Sequence, residues 1–164
     1  MYTPFKYTTP PGTIFNTAKS NALGLPMVIP VSIRLESGDW WVFPDEPSIT
    51  VSGGNVVAKR TVAKSKGRGT IKERWSQDDY SITIAGSIIN HDDESVYPEE
   101  AVRRLKSFCE AKEAIEVKCD LLGHFDITRM VIESFDFPFT KGENAQAFSI
   151  KAVSDDIIDL LVEE

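Results

Sequence analysis

An α+β fold, a mainly antiparallel β-barrel or sandwich with one flanking helix, is what the sequence predicts. Three observations carry that expectation. Runs of period-two alternation recur along the chain, as where Ile82 and Ile84 alternate with Ser81, Thr83 and Ala85. One segment, 98–112, keeps clear helical spacing instead. Turn-forming clusters such as Ser37-Gly38-Asp39 and Gln77-Asp78-Asp79 separate the runs.

In chain order, residues 1–26 read as an extended N-terminal arm. Pro4, Pro10, Pro11, Gly12, Gly24 and Pro26 punctuate it and no period is sustained. Its apolar groups, Phe5, Tyr7, Ile14, Phe15, Leu23 and Leu25, suit packing along the domain or a partner, while a mobile terminus is the plain alternative. Residues 27–164 then read as one β-domain, a size that fits a single core. Ile29, Val31, Ile33 and Leu35 alternate with Val28, Pro30, Ser32 and Arg34, with Pro30 favouring an edge or a strand start. Trp40-Trp41-Val42-Phe43 is a short apolar strand stopped by Pro44 and Pro47. Segments 48–52 and 56–63 flank Gly53-Gly54-Asn55, a hairpin signal.

Lys64–Gly69 is a basic, glycine-containing stretch, after which 70–74 and 80–89 resume as strands, the latter rich in β-branched residues. Pro98 opens the helix, and Glu99 and Glu100 follow in its first turn, where the helix dipole favours acids. Val102, Leu105, Phe108 and Cys109 form its apolar stripe. Segments 114–121, 127–137 and 147–153 close the β-domain. In the first of these, Ile115, Val117, Cys119 and Leu121 share a face. Ser154-Asp155-Asp156 is placed to cap a short final helix, 157–162.

Composition excludes several classes. Hydrophobic residues make up 41% of the chain and charged residues 26%, as in an ordinary soluble domain. No apolar run approaches the roughly 20 residues that cross a bilayer, and the N-terminus lacks the pattern of a signal peptide. Two cysteines are too few for a disulfide scaffold and read as buried reduced thiols, consistent with synthesis in a reducing cytoplasm. The net charge of −7 argues against general nucleic-acid binding.

The charge is segregated. Lys59, Arg60, Lys64, Lys66, Arg68, Lys72 and Arg74 crowd into one segment with a single acid, Glu73. The rest of the chain keeps 11 basic and 24 acidic residues. Three readings of this arm compete. It is a solvated hairpin, an interface arm that meets acid on a neighbouring subunit, or a nucleic-acid loop. The last lacks interleaved aromatics, since Trp75 is the one nearby.

A search for catalytic chemistry finds no enzyme signature. His91-Asp92-Asp93-Glu94 has the donors for a metal but no matching ligands elsewhere, and a run of loop acids is ordinarily solvated. His124 follows Gly123 in a predicted turn. Cys109 and Cys119 fall on predicted core faces, where thiols are inert. Ser52-Gly53-Gly54 lacks the lysine and helix of a phosphate loop. No cofactor and no metal are expected.

Several segments taken in order carry a resemblance. They are Lys66-Gly67-Arg68-Gly69-Thr70-Ile71-Lys72-Glu73, then Asp78-Asp79-Tyr80-Ser81-Ile82-Thr83-Ile84-Ala85-Gly86, then Tyr97-Pro98 opening the helix. Gly123 to Ile132 follows, with Pro138, Asn144, Phe148 and Ser154-Asp155. Over about residues 45–156 the chain resembles small baseplate and tail-tube-initiation proteins of contractile-tailed phages and related injection systems, a set that includes proteins of Bacteroidetes prophages. The resemblance implies a tail-tube type β-domain assembled in rings, with strands of neighbouring protomers forming a continuous inner barrel. Hairpins and N-terminal arms of such rings reach adjacent ones. It further implies a structural, non-enzymatic role, self-association and contact with other tail or baseplate proteins, no membrane partner, and a place in a virion tail assembled in the bacterial host cytoplasm. With the chain ending at Glu164, no appended lysin-motif module is expected.

Overall fold

The computed structural model describes residues 27–61, 70–93, 95–139 and 144–155. Among them nine strands and two helices follow one another. They are β1 (Ser32–Arg34), β2 (Trp41–Val42), β3 (Ser48–Ser52), β4 (Asn55–Arg60), β5 (Ile71–Gln77), β6 (Ser81–Ile89), α1 (Glu99–Cys109), β7 (Ile115–Lys118), α2 (Asp120–Gly123), β8 (Arg129–Asp136) and β9 (Ala145–Ser154).

Seven strands form one sheet in the order β2-β1-β7-β8-β9-β6-β3, with every neighbouring pair antiparallel. β2 and β3 are its two edges, so the sheet does not close. Of the two architectures the sequence allowed, the barrel is therefore corrected to an open, sandwich-like arrangement. The core shows how the sheet wraps. Phe43, just after β2, stacks on Phe148 of β9 with ring centroids 5.6 Å apart, although three strands separate β2 from β9 in the sheet order. Trp41 joins Phe43 at 4.9 Å to Phe108 of α1 at 5.8 Å. A chain of four aromatic rings thus ties the helix to both halves of the sheet.

Alternation in the sequence becomes burial in the fold. Ile82, Ile84 and Ile88 of β6 face inward; Ala152 and Ile150 of β9 lie opposite Ile82 and Ile84, and Phe148 lies opposite Gly86. α1 lays Leu105, Phe108 and Cys109 on this surface, with Val102 half-buried at the margin. Burying such side chains contributes about 1.5–3 kcal/mol each. The helix stops earlier than the pattern predicts: the Glu110 N–H makes the last α-type bond, to the Lys106 carbonyl, and the Ala111 N–H bonds to the Phe108 carbonyl, three residues back, which tightens the end.

Two further expectations are corrected. The strand predicted over 114–121 ends at Lys118, and the chain coils into α2. Leu121 leaves the strand face because one tight turn buries Leu122 completely. The hairpin predicted across Gly53-Gly54-Asn55 does not form. β3 pairs with β6 from Ser48↔Ala85 to Ser52↔Ser81, and β4 pairs only with β5. Ile49 and Val51 give β3 a face that packs on the core, whereas β4 has no face that does. The glycines mark where the chain leaves the sheet. The N-terminal arm, the 64–69 loop and the terminal helix predicted over 157–162 lie outside the described residues. No helix among the described residues is long and apolar enough to cross a membrane.

Candidate assembly interface

β4 and β5 form a two-stranded ribbon that stands apart from the main sheet. Every residue of β5 is exposed, as are all of β4 but Ala58. Residues directly opposite in an antiparallel pair share a face, so the register sorts the ribbon's side chains. Lys59 lies opposite Lys72, and Val57 opposite Arg74, which places three cations on one face. The other face pairs Ala58 with Glu73 and Arg60 with Ile71, and Arg60 reaches Glu73 diagonally at 3.5 Å. Ser76 opposes Val56 while Arg74 opposes Val57, leaving Trp75 as the extra residue of a β-bulge. Its indole is 69% exposed.

Of the seven basic residues marked in the sequence, Lys59, Arg60, Lys72 and Arg74 are thus gathered on one projecting element. Lys64, Lys66 and Arg68 lie outside the described residues. Two like charges directly opposite each other, Lys59 and Lys72, destabilise an isolated ribbon. Among the described residues of the ribbon, no buried apolar face offsets this.

The root of the ribbon is built differently. A Cβ placed on Gly53 would lie 2.7 Å from Cε1 and 2.9 Å from Cδ1 of Tyr80. The ring can lie there only because residue 53 has no side chain. Gln77 donates to the Tyr80 hydroxyl, and Phe125 meets the ring edge at 5.5 Å. The Asp78 N–H donates to the Gly54 carbonyl at 3.0 Å. These contacts fix the ribbon's departure from the sheet. Sequence reasoning missed this joint: its signal, Gly-Gly facing Asp-Asp-Tyr across two strands, appears only once β3 and β6 are known to pair.

Of the residues weighed for chemistry, Glu94 lies outside the described residues. His91 Nε2 sits 2.7 Å from Asp45 Oδ1, while Oδ2 of the same carboxylate accepts the Ile89 N–H. Among the described residues no group of three or more His, Cys, Asp or Glu side chains is arranged to hold a metal. His124 is exposed at the C-cap of α2.

Both thiols are buried. Burial, and then the neighbouring Glu110, push Cys109 up to about 11 from its ordinary 9.0. Burial also raises Cys119, against the opposing pull of the Leu122 and Leu121 backbone N–H groups. A thiol whose folded pKa is raised adds stability that is present below the unfolded value and lost as pH rises above it. The fold is therefore expected to weaken from about pH 9 towards 11, which alkaline denaturant titrations would read. At pH 8 a thiol reagent should label native protein far more slowly than unfolded protein.

Residues 42–164 match the family described as domain of unknown function DUF6046, and the chain belongs to that family. No curated protein matches it. Among solved structures, the fold is similar to that of a chain in the tail of an empty GTA particle, computed with helical refinement in C6 symmetry. The TM-score is 0.50 at 16% identity, covering 78% of this chain and 91% of that one.

Proposed function

We propose that the protein is a non-enzymatic structural component of a phage tail or phage-like contractile injection apparatus. It acts in baseplate or tube assembly through ring-forming contacts between copies, using a tail-tube type β-domain. The observation that carries this reading is the exposed β4–β5 ribbon, with Lys59, Lys72 and Arg74 aligned on one face and Trp75 69% exposed. Two things support it: the likeness in fold to a chain from a six-fold symmetric particle tail, and the excess of acid over the rest of the chain, which offers a complementary surface on a neighbour. The site of action is then a virion tail, with other tail or baseplate proteins as partners.

Light scattering across concentration, with negative-stain imaging of the same sample, tests the reading. Rings or stacked tubes are expected, and Lys72→Glu/Arg74→Glu should abolish them while leaving the melting temperature within a few degrees. Assemblies unaffected by the reversal would count against the ribbon as the contact.

One observation favours a second reading, nucleic-acid binding: Lys59, Lys72 and Arg74 share a face close to an exposed indole. That reading requires binding that falls steeply with added salt, and binding that survives high salt or is absent argues against it.

A further inference from the structure

β6 runs nine residues, from Ser81 at the root of the ribbon to Ile89 at the far end of the sheet. At about 3.3 Å per residue the two ends are roughly 26 Å apart. The far end carries a groove of about 520 Å³, walled by Trp41, His91, Val96, Tyr97, Glu100 and Arg104. Its rim is acidic and exposed at Asp92, Glu99 and Glu100, with Asp93 beside it. Glu99 is committed to Arg103 within the helix, and Arg104 lies near Trp41 on the inner wall. Asp92 in the loop after β6 and Glu100 in the first turn of α1 are both exposed to solvent.

The groove is held in shape. Asn90 accepts the Asp92 and Asp93 N–H groups at 3.1 and 3.3 Å and donates to the Val96 carbonyl at 3.0 Å. The Tyr97 hydroxyl donates to Gln146, which donates in turn to the Pro138 carbonyl. Asp45 clamps both His91 and the end of β6. Despite this, Val96 and Tyr97 remain 49% and 43% exposed. The groove therefore has the same mixture as the ribbon, charge plus uncovered apolar surface, with the sign of the charge reversed.

Resting on the ring-forming reading above, we infer that this groove is the acceptor for the β4–β5 ribbon of a second copy of the chain. Lys59, Lys72 and Arg74 meet Asp92 and Glu100, and Trp75 at the bulge covers Val96 and Tyr97. Donor and acceptor occupy opposite ends of one sheet, so the contact is head to tail. Contacts of that kind build rings or open stacks rather than two-fold dimers.

A charge exchange tests this. Lys72→Glu/Arg74→Glu inverts the ribbon, and Asp92→Lys/Glu100→Lys inverts the rim. Each variant alone should lose assembly by at least tenfold in the concentration required, with circular dichroism and melting unchanged. Mixed in equal amounts, the two variants should assemble again, because each inverted element then finds its complement. If the ribbon variant fails to assemble but the rim variant assembles as wild type, the groove is overturned and the ribbon reading stands. If both assemble as wild type, both are overturned. A wild-type chain that stays monomeric at every concentration overturns a second copy as the occupant.

Discussion

Replacing Phe43 by alanine is expected to cost about 3–5 kcal/mol of stability. The side chain is 1% exposed and sits between Trp41 and Phe148, where the two halves of the sheet meet over the core. Removing it deletes two ring contacts at once, and the cavity it leaves is bounded by strands that cannot collapse without breaking the ladder. Native domains hold only about 5–15 kcal/mol in all. The loss should appear as a lower urea midpoint with an unchanged slope. A cost under 1 kcal/mol would mean that the sandwich-like closure over Phe43 is not what holds the halves together.

A second substitution should act on assembly with little effect on stability. Gly53→Ala places a methyl group within 3 Å of two Tyr80 ring carbons. The ring must move, and in moving it gives up its hydroxyl bond with Gln77 and its edge contact with Phe125. All three groups lie at the surface or half-buried, so the melting point should shift by only a few degrees. The ribbon, however, is aimed by this joint. Its cations would leave the line on which a neighbour receives them, and assembly measured by light scattering should fall by an order of magnitude or more. Tyr80→Phe, which keeps the ring and loses only the hydroxyl bond, should fall between this variant and the wild type. Normal assembly by Gly53→Ala would show that the ribbon finds its partner whatever its root angle.

The central strands of the main sheet were legible because one face is buried and the alternation is clean, as at β6 and β9. The helix was legible for the same reason, through Leu105, Phe108 and Cys109. Pairing was not. Gly53-Gly54-Asn55 is a strong local hairpin signal, yet the choice of partner for β3 was made by Ile49 and Val51 seeking the core beside Ile82 and Ile84, a non-local term. α2 was missed because Cys119 and Leu121 continue the alternation of β7, and only the complete burial of Leu122 reveals the turn. The ribbon's cations stood out in the sequence as a charge cluster. Their division between two faces needed the register, and with it the bulge at Trp75. The groove at the start of α1 left only ordinary loop acids to read, and the Asp45–His91 clamp joins residues 46 positions apart.

The alignment of Lys59, Lys72 and Arg74 on one face has a consequence for encounters that go wrong. A two-stranded ribbon exposes two free backbone edges, and two such ribbons meeting in solution would ordinarily zip into a four-stranded sheet. Here each approaching ribbon presents the same positive charge as the other, and the bulge at Trp75 interrupts the straight edge that zipping requires. The repulsion acts over about 10 Å at 0.1 M salt, so it is felt before any backbone contact forms. Added salt should therefore do two opposite things: weaken the productive meeting of ribbon and acid, and remove the barrier that keeps identical ribbons from sticking to one another.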